Sequence, residues 1–80
     1  MPMEDLLKQY LKIRLKTSMF SFVMCKPGDD PYTLKLKVKL PAKYNTDCFL
    51  YDAKIKVLRT LEDFEENTKT YLLEIKIGEI

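Results

Sequence analysis

Apolar residues recur along this chain with two different periods, and the change of period divides it into elements. Between Met3 and Ile13, the residues Met3, Leu6, Leu7, Tyr10, Leu11 and Ile13 recur at helical spacing, while Glu4, Asp5, Lys8, Gln9 and Lys12 share the opposite arc. The spacing predicts an amphipathic helix over about residues 3–14. Pro2 just ahead suits a helix start, and Glu4 and Asp5 complement the positive end of the helix dipole. Arg14 falls inside the apolar arc, which sets the expected end near that residue.

From there the period is two. Residues from about 19 to 26 are rich in β-formers, with Phe20, Phe22 and Met24 on one face and Ser21, Val23 and Cys25 on the other. Both faces are fairly apolar, as expected of a strand covered by the helix on one side and partly by a neighbour or partner on the other. Pro27-Gly28-Asp29-Asp30-Pro31 then signals a reversal, because Pro, Gly and Asp each favour turn geometry for a separate reason.

The next strand, about 32–40, alternates strictly: Leu34, Leu36, Val38 and Leu40 point one way, Lys35, Lys37 and Lys39 the other. Pro41 ends it, and a polar connection leads to a long third strand over about 48–60, with Phe49, Tyr51, Ala53, Ile55 and Val57 inward against Asp52, Lys54 and Lys56. Leu61 to Asn67 reads as a hairpin loop or a single helical turn. A last strand, about 70–77, turns Tyr71, Leu73, Ile75 and Ile77 inward and Glu74 and Lys76 outward.

The order α-β-β-β-β predicts an α+β fold: an N-terminal amphipathic helix packed on one face of a four-stranded antiparallel sheet built from two hairpins. Eighty residues make one domain with a small core. Apolar runs are far shorter than the roughly 20 residues a spanning helix needs, and Met-Pro-Met-Glu-Asp lacks the pattern of a secretory signal, so no membrane association and a cytoplasmic setting are expected.

The chemistry on offer is narrow. There is no histidine, which removes the usual general base, the usual metal ligand and the usual activator of a Ser or Cys nucleophile. Cys25 and Cys48 lack zinc-ligand spacing and read as two free, part-buried thiols ahead of a cross-strand disulfide. Glu74-Ile75-Lys76, with Asp52 expected outward on another strand, resembles the carboxylate-x-Lys end of a metal-dependent nuclease site. An ordinary cross-strand ion pair accounts for it better. No cofactor motif, metal set or small-molecule site is found, and the expectation is a protein that is not an enzyme.

Charge adds one feature. The first forty residues carry eight cations against four acids and the last forty six against eight, so the net +2 divides into +4 and −2. Lys35, Lys37, Lys39, Lys54, Lys56 and Lys76 are all expected outward and would form a lysine-rich sheet face, the candidate binding surface. No aromatic residue is interleaved with them, which favours a solubilising, protective sheet face as the plainer account of the stripe, and only Arg14 and Arg59 offer a guanidinium, which weakens a nucleic-acid partner relative to a protein one. The doubly apolar first strand, through Ser21, Val23 and Cys25, is the candidate self-association strand of a homodimer. The reading that follows is a small binding protein, an adaptor, inhibitor or accessory subunit, with nucleic-acid binding through the lysine face as its alternative.

Overall fold

A computed structural model describes residues 3–79. Helix α1 (Met3–Leu15) is followed by strands β1 (Ser21–Pro27) and β2 (Thr33–Pro41), a one-turn helix α2 (Cys48–Tyr51), strands β3 (Ile55–Asp63) and β4 (Thr68–Lys76), and a 3₁₀ turn (Ile77–Glu79). The four strands form one antiparallel sheet in the order β1-β2-β4-β3. The two hairpins therefore join through β2 and β4, and β1 and β3 are the edges.

The inner face carries the core. Leu36, Val38 and Leu40 of β2 and Tyr71, Leu73 and Ile75 of β4 are buried with Leu7, Leu11 and Leu15 of α1 and with Phe49 of α2. Leu7, Leu11 and Leu15 are spaced four apart, so they form one stripe on the helix and meet the sheet together. Two expectations for the helix change here. Ile13 is 75% exposed, whereas Leu15 is buried, and the helix runs through Arg14. Lys16 then takes a left-handed conformation (φ 57°), a common way for a helix to stop.

The β1–β2 turn forms where Pro27 to Pro31 predict it. The Asp30 carboxylate accepts from Tyr32 N–H at 2.7 Å, and Gly28 N–H donates to the Thr33 carbonyl at 3.0 Å. A Cβ at Gly28 would run into the Thr33 hydroxyl, so the turn requires glycine at that point of close approach.

The long third strand is corrected. Residues 48–51 are helical, and β3 starts only at Ile55 and extends to Asp63. Local side-chain bonds outweigh the alternation: Asn45 Oδ1 accepts from Asp47 N–H at 2.8 Å, and Asp52 Oδ1 from Lys54 N–H at 2.9 Å. The α2 turn still buries Phe49, whose ring meets Tyr71 edge to face at 5.3 Å, while Tyr51, expected inward, is 84% exposed.

Both edge strands carry a register irregularity. In β1, Phe22 pairs with Val38 but Met24 with Lys37, so an extra residue is accommodated at Val23. In β3, Val57 pairs with Leu73 but Arg59 with Leu72, with the extra residue at Leu58. A bulge reverses the facing of every residue beyond it. Met24, expected inward, thus lies opposite Lys37 on the outer face, and Cys25 lies opposite Leu36 on the inner one.

Candidate binding surfaces

Cross-strand partners share a face, so the register writes out the outer surface row by row. One row is Lys26, Lys35, Glu74 and Lys56, the next Met24, Lys37, Leu72 and Arg59, and a third Ser21, Lys39, Thr70 and Leu61. Lys35, Lys37, Lys39 and Lys56 are brought together as the lysine pattern predicts. Glu74 is flanked by Lys35 and Lys56, an ordinary cross-strand arrangement of opposite charges.

Two of these lysines are answered by loop acids: Lys35 Nζ lies 3.6 Å from Asp29 and Lys39 Nζ 2.9 Å from Glu66. The Glu66 bond raises the Lys39 ammonium pKa. Lys37, Lys56 and Arg59 make no ion pair within 4 Å among the described residues. Lys37 and Arg59 flank a dimple of about 60 Å³ with Leu72, Leu61 and Thr70. The outer face therefore has an apolar centre framed by cations.

The sequence pattern pointed only to lysines. Arg59 escaped it because the bulge at Leu58 turns Arg59 to the side of Lys56. Leu72 was legible: in Tyr71-Leu72-Leu73 of an alternating strand, the middle residue has to face outward.

Lys54 and Lys76 are placed elsewhere. Lys54 precedes β3, and its ammonium lies 5.7 Å from the centre of the Tyr10 ring of α1. Lys76 ends β4 opposite Thr33, at the margin of the outer face.

Asp52, expected outward beside Glu74, is buried against the helix instead. Its Oδ2 accepts from the Tyr10 hydroxyl and from Arg14 Nε at 2.8 Å, with a second Arg14 nitrogen at 2.7 Å. Burial alone would push this carboxyl up, but the bonds from Tyr10, the Lys54 amide and Arg14 outweigh it and hold the pKa below the ordinary value. The Tyr10 phenol is raised by its own burial and then by the neighbouring carboxylate. Arg14 thus lies in the apolar arc of α1 because a buried acid awaits it there. Asp52 and Glu74 lie on opposite sides of the sheet, and the nuclease-like trio is not assembled.

The proposed self-association residues do not share one face. Ser21 lies opposite Lys39 on the outer side, Cys25 opposite Leu36 on the inner side, and Val23 at the bulge between them. Cys25 and Cys48 are free thiols, but only Cys48 is half-buried and Cys25 is exposed, contrary to the expectation that both are part-buried; partial desolvation raises both thiol pKa values.

The β3–β4 turn carries Phe64 at its tip, 86% exposed among Glu62, Asp63, Glu65 and Glu66. Asp63 Oδ1 accepts from the amides of Glu65 (3.0 Å) and Glu66 (3.1 Å), and Asn67 closes the turn at φ 55°. The acid cluster here builds a turn.

Compared with protein-family models, with curated proteins and with solved structures, the chain matches none.

Proposed function

We propose that this chain is a small binding domain, without catalysis of its own, that occupies an acidic site on a protein partner through the outer face of its sheet. The observation that carries this is the row Met24, Lys37, Leu72 and Arg59 beside the row Lys26, Lys35, Glu74 and Lys56. An apolar centre inside a charged frame matches the core-and-rim anatomy of protein interfaces: the centre supplies desolvation, and the rim steers a partner of opposite charge.

The alternative, a nucleic-acid backbone, is supported by the same excess of cations. It lacks stacking platforms, because none of the outward-facing strand residues is aromatic.

Affinity capture from an extract of the native cell tests the reading, using three proteins. These are the wild type, the variant Lys37→Glu/Lys56→Glu/Arg59→Glu, and a charge-matched control, Lys12→Glu/Lys16→Glu/Lys43→Glu, altered away from the face. A partner held by wild type and control but released by the outer-face variant is the expected result. Equal retention by all three removes the outer face from consideration. A mobility shift of oligonucleotides by wild type at low salt, abolished in the outer-face variant, would put the nucleic-acid reading in its place.

A further inference from the structure

Resting on the outer-face reading, we infer that the dimple beside Leu72 is a pocket for a chain end: it takes the free C-terminal carboxylate of the partner protein together with the small aliphatic side chain of that last residue.

The register builds the pocket. Lys37 of β2 and Arg59 of β3 both lie opposite Leu72 of β4, so one leucine stands between two cations in a single row across three strands. Neighbouring strands lie about 4.8 Å apart, which sets the two cationic residues roughly 10 Å from one another. Side chains as long as Lys and Arg bridge that span and can both reach one carboxylate held above the leucine. The bulge at Leu58 is what supplies the second cation, because in a regular strand residues 56 and 59 would point to opposite faces. Thr70 and Leu61, paired with one another in the next row, close the dimple.

Charge says what enters. No acid lines the dimple, and Lys37 and Arg59 make no ion pair within 4 Å among the described residues. The neighbouring acids are engaged elsewhere. Glu74 stands between Lys35 and Lys56 in the adjoining row, and Glu66 holds Lys39 at 2.9 Å. Asp63, two residues beyond Leu61, turns its Oδ1 to the amides of Glu65 and Glu66. Two cations with nothing in the lining to offset them select an anion, and the planar fork of Arg59 suits a carboxylate.

Shape separates the sources of carboxylate. Leu72 and Leu61 make the dimple apolar, while the heads of Lys37 and Arg59 stay at its rim in water at the ends of their aliphatic stems. An interior aspartate or glutamate carries its carboxylate at the tip of the side chain, so entering the dimple would press the charge onto the leucines. At a C-terminus the carboxylate and the side chain branch from one Cα. The side chain descends onto the leucines and the carboxylate remains between the cations. The dimple's volume of about 60 Å³ matches the liquid volume of roughly two waters, room for the side chain of alanine or valine and too little for an aromatic ring.

A titration of isotope-labelled full-length chain, followed by amide chemical shifts, tests the pocket. The probe is the N-acetylated peptide Gly-Gly-Ser-Val with a free C-terminus. Three N-acetylated comparison peptides accompany it: its C-terminal amide, the amide of Gly-Gly-Asp-Val, which carries the same charge inside the chain, and the free acid Gly-Gly-Ser-Phe. Shifts centred on Lys37, Arg59, Thr70 and Leu72 are expected, with the probe bound at least about tenfold more tightly than each comparison peptide. Arg59→Gln, at an exposed position, should weaken the probe by on the order of tenfold. Lys35→Gln removes the same charge from a lysine that already faces Asp29, and should leave binding within about twofold.

Equal or tighter binding of any comparison peptide, equal losses in Arg59→Gln and Lys35→Gln, or no binding of the probe each overturns the chain-end pocket. Isobutyrate bound as tightly as the probe would also overturn it, by naming a free small acid as the occupant. None of these results touches the outer-face reading, which falls to a different outcome, equal retention of the partner by all three proteins in the capture experiment.

Discussion

The inner and outer faces of the sheet are made by the same strands, one residue apart. Inward, β2 and β4 bring Leu36, Val38, Leu40, Tyr71, Leu73 and Ile75 under α1 and Phe49. Outward, they bring Lys35, Lys37, Lys39, Thr70, Leu72 and Glu74. The inner set is buried and the outer set only half-buried, so the inner set has the stronger claim on stability. The outer face has more room to vary without unfolding the domain, and its concentration of cations around Leu72 is the feature on which the proposed partner rests.

The largest expected effect lies at the centre of the inner face. Phe49, 1% exposed, is buried against Tyr71, whereas Phe20 and Phe22 are only half-buried at the core's margin. Phe49→Ala should cost roughly 3–5 kcal/mol and Phe22→Ala about 1–2 kcal/mol. Against a total of about 4–12 kcal/mol for a domain of this size, the first change leaves little folded protein. Urea denaturation followed by far-UV circular dichroism measures both. Equal losses would mean that α2 is not part of the cooperative core.

A smaller effect belongs to Asp52, the one buried carboxylate among the described residues. Asp52→Asn should cost about 1–3 kcal/mol, because it removes the charge from bonds to Tyr10 and Arg14. The carboxyl's folded pKa lies below its unfolded one. Its contribution is therefore fully present above the unfolded value of about 3.9 and is lost as pH falls through the folded value. Thermal melts from pH 6 down to the acid limit should show wild type losing stability below about pH 4 more steeply than Asp52→Asn. Parallel curves for the two proteins would remove the charge from the anchor.

How much of this was legible beforehand differs between the faces. The regular strands β2 and β4 carry strict alternation through Leu36, Val38 and Leu40 and through Tyr71, Leu73 and Ile75, so these two strands and the core stripe they carry follow from period, and the first hairpin from the turn residues Pro27 to Pro31. The edges do not. A bulge is one residue in one strand, fixed by a neighbour that lies distant in the chain, and the reversals at Met24 and Arg59 leave no periodic trace. The segment from Cys48 to Asp52 misled for another reason: its alternation is genuine, but Asn45 and Asp52 bond to nearby backbone, and those local bonds decide. The candidate surfaces depend on these irregularities, which is why the lysines of β2 were foreseen and Arg59 and the dimple it flanks were not.

The smallest expected effect sharpens the contrast between the faces most. Lys37 and Arg59 make no ion pair among the described residues and flank an open dimple. Replacing Lys37 by glutamate removes no bond that folding made, so urea denaturation should give a change within about 0.5 kcal/mol. Its sign follows from the neighbours. A glutamate at 37 gains Arg59 across the dimple, and its cross-strand partner Leu72 is indifferent to charge, so a slight gain is expected, one that fades as salt is raised. A loss above 2 kcal/mol would mean that Lys37 holds the fold together, and the claim that the outer face is shaped by a partner would lose its ground. A near-zero change together with loss of the partner, in the same variant, is the result that separates the two faces.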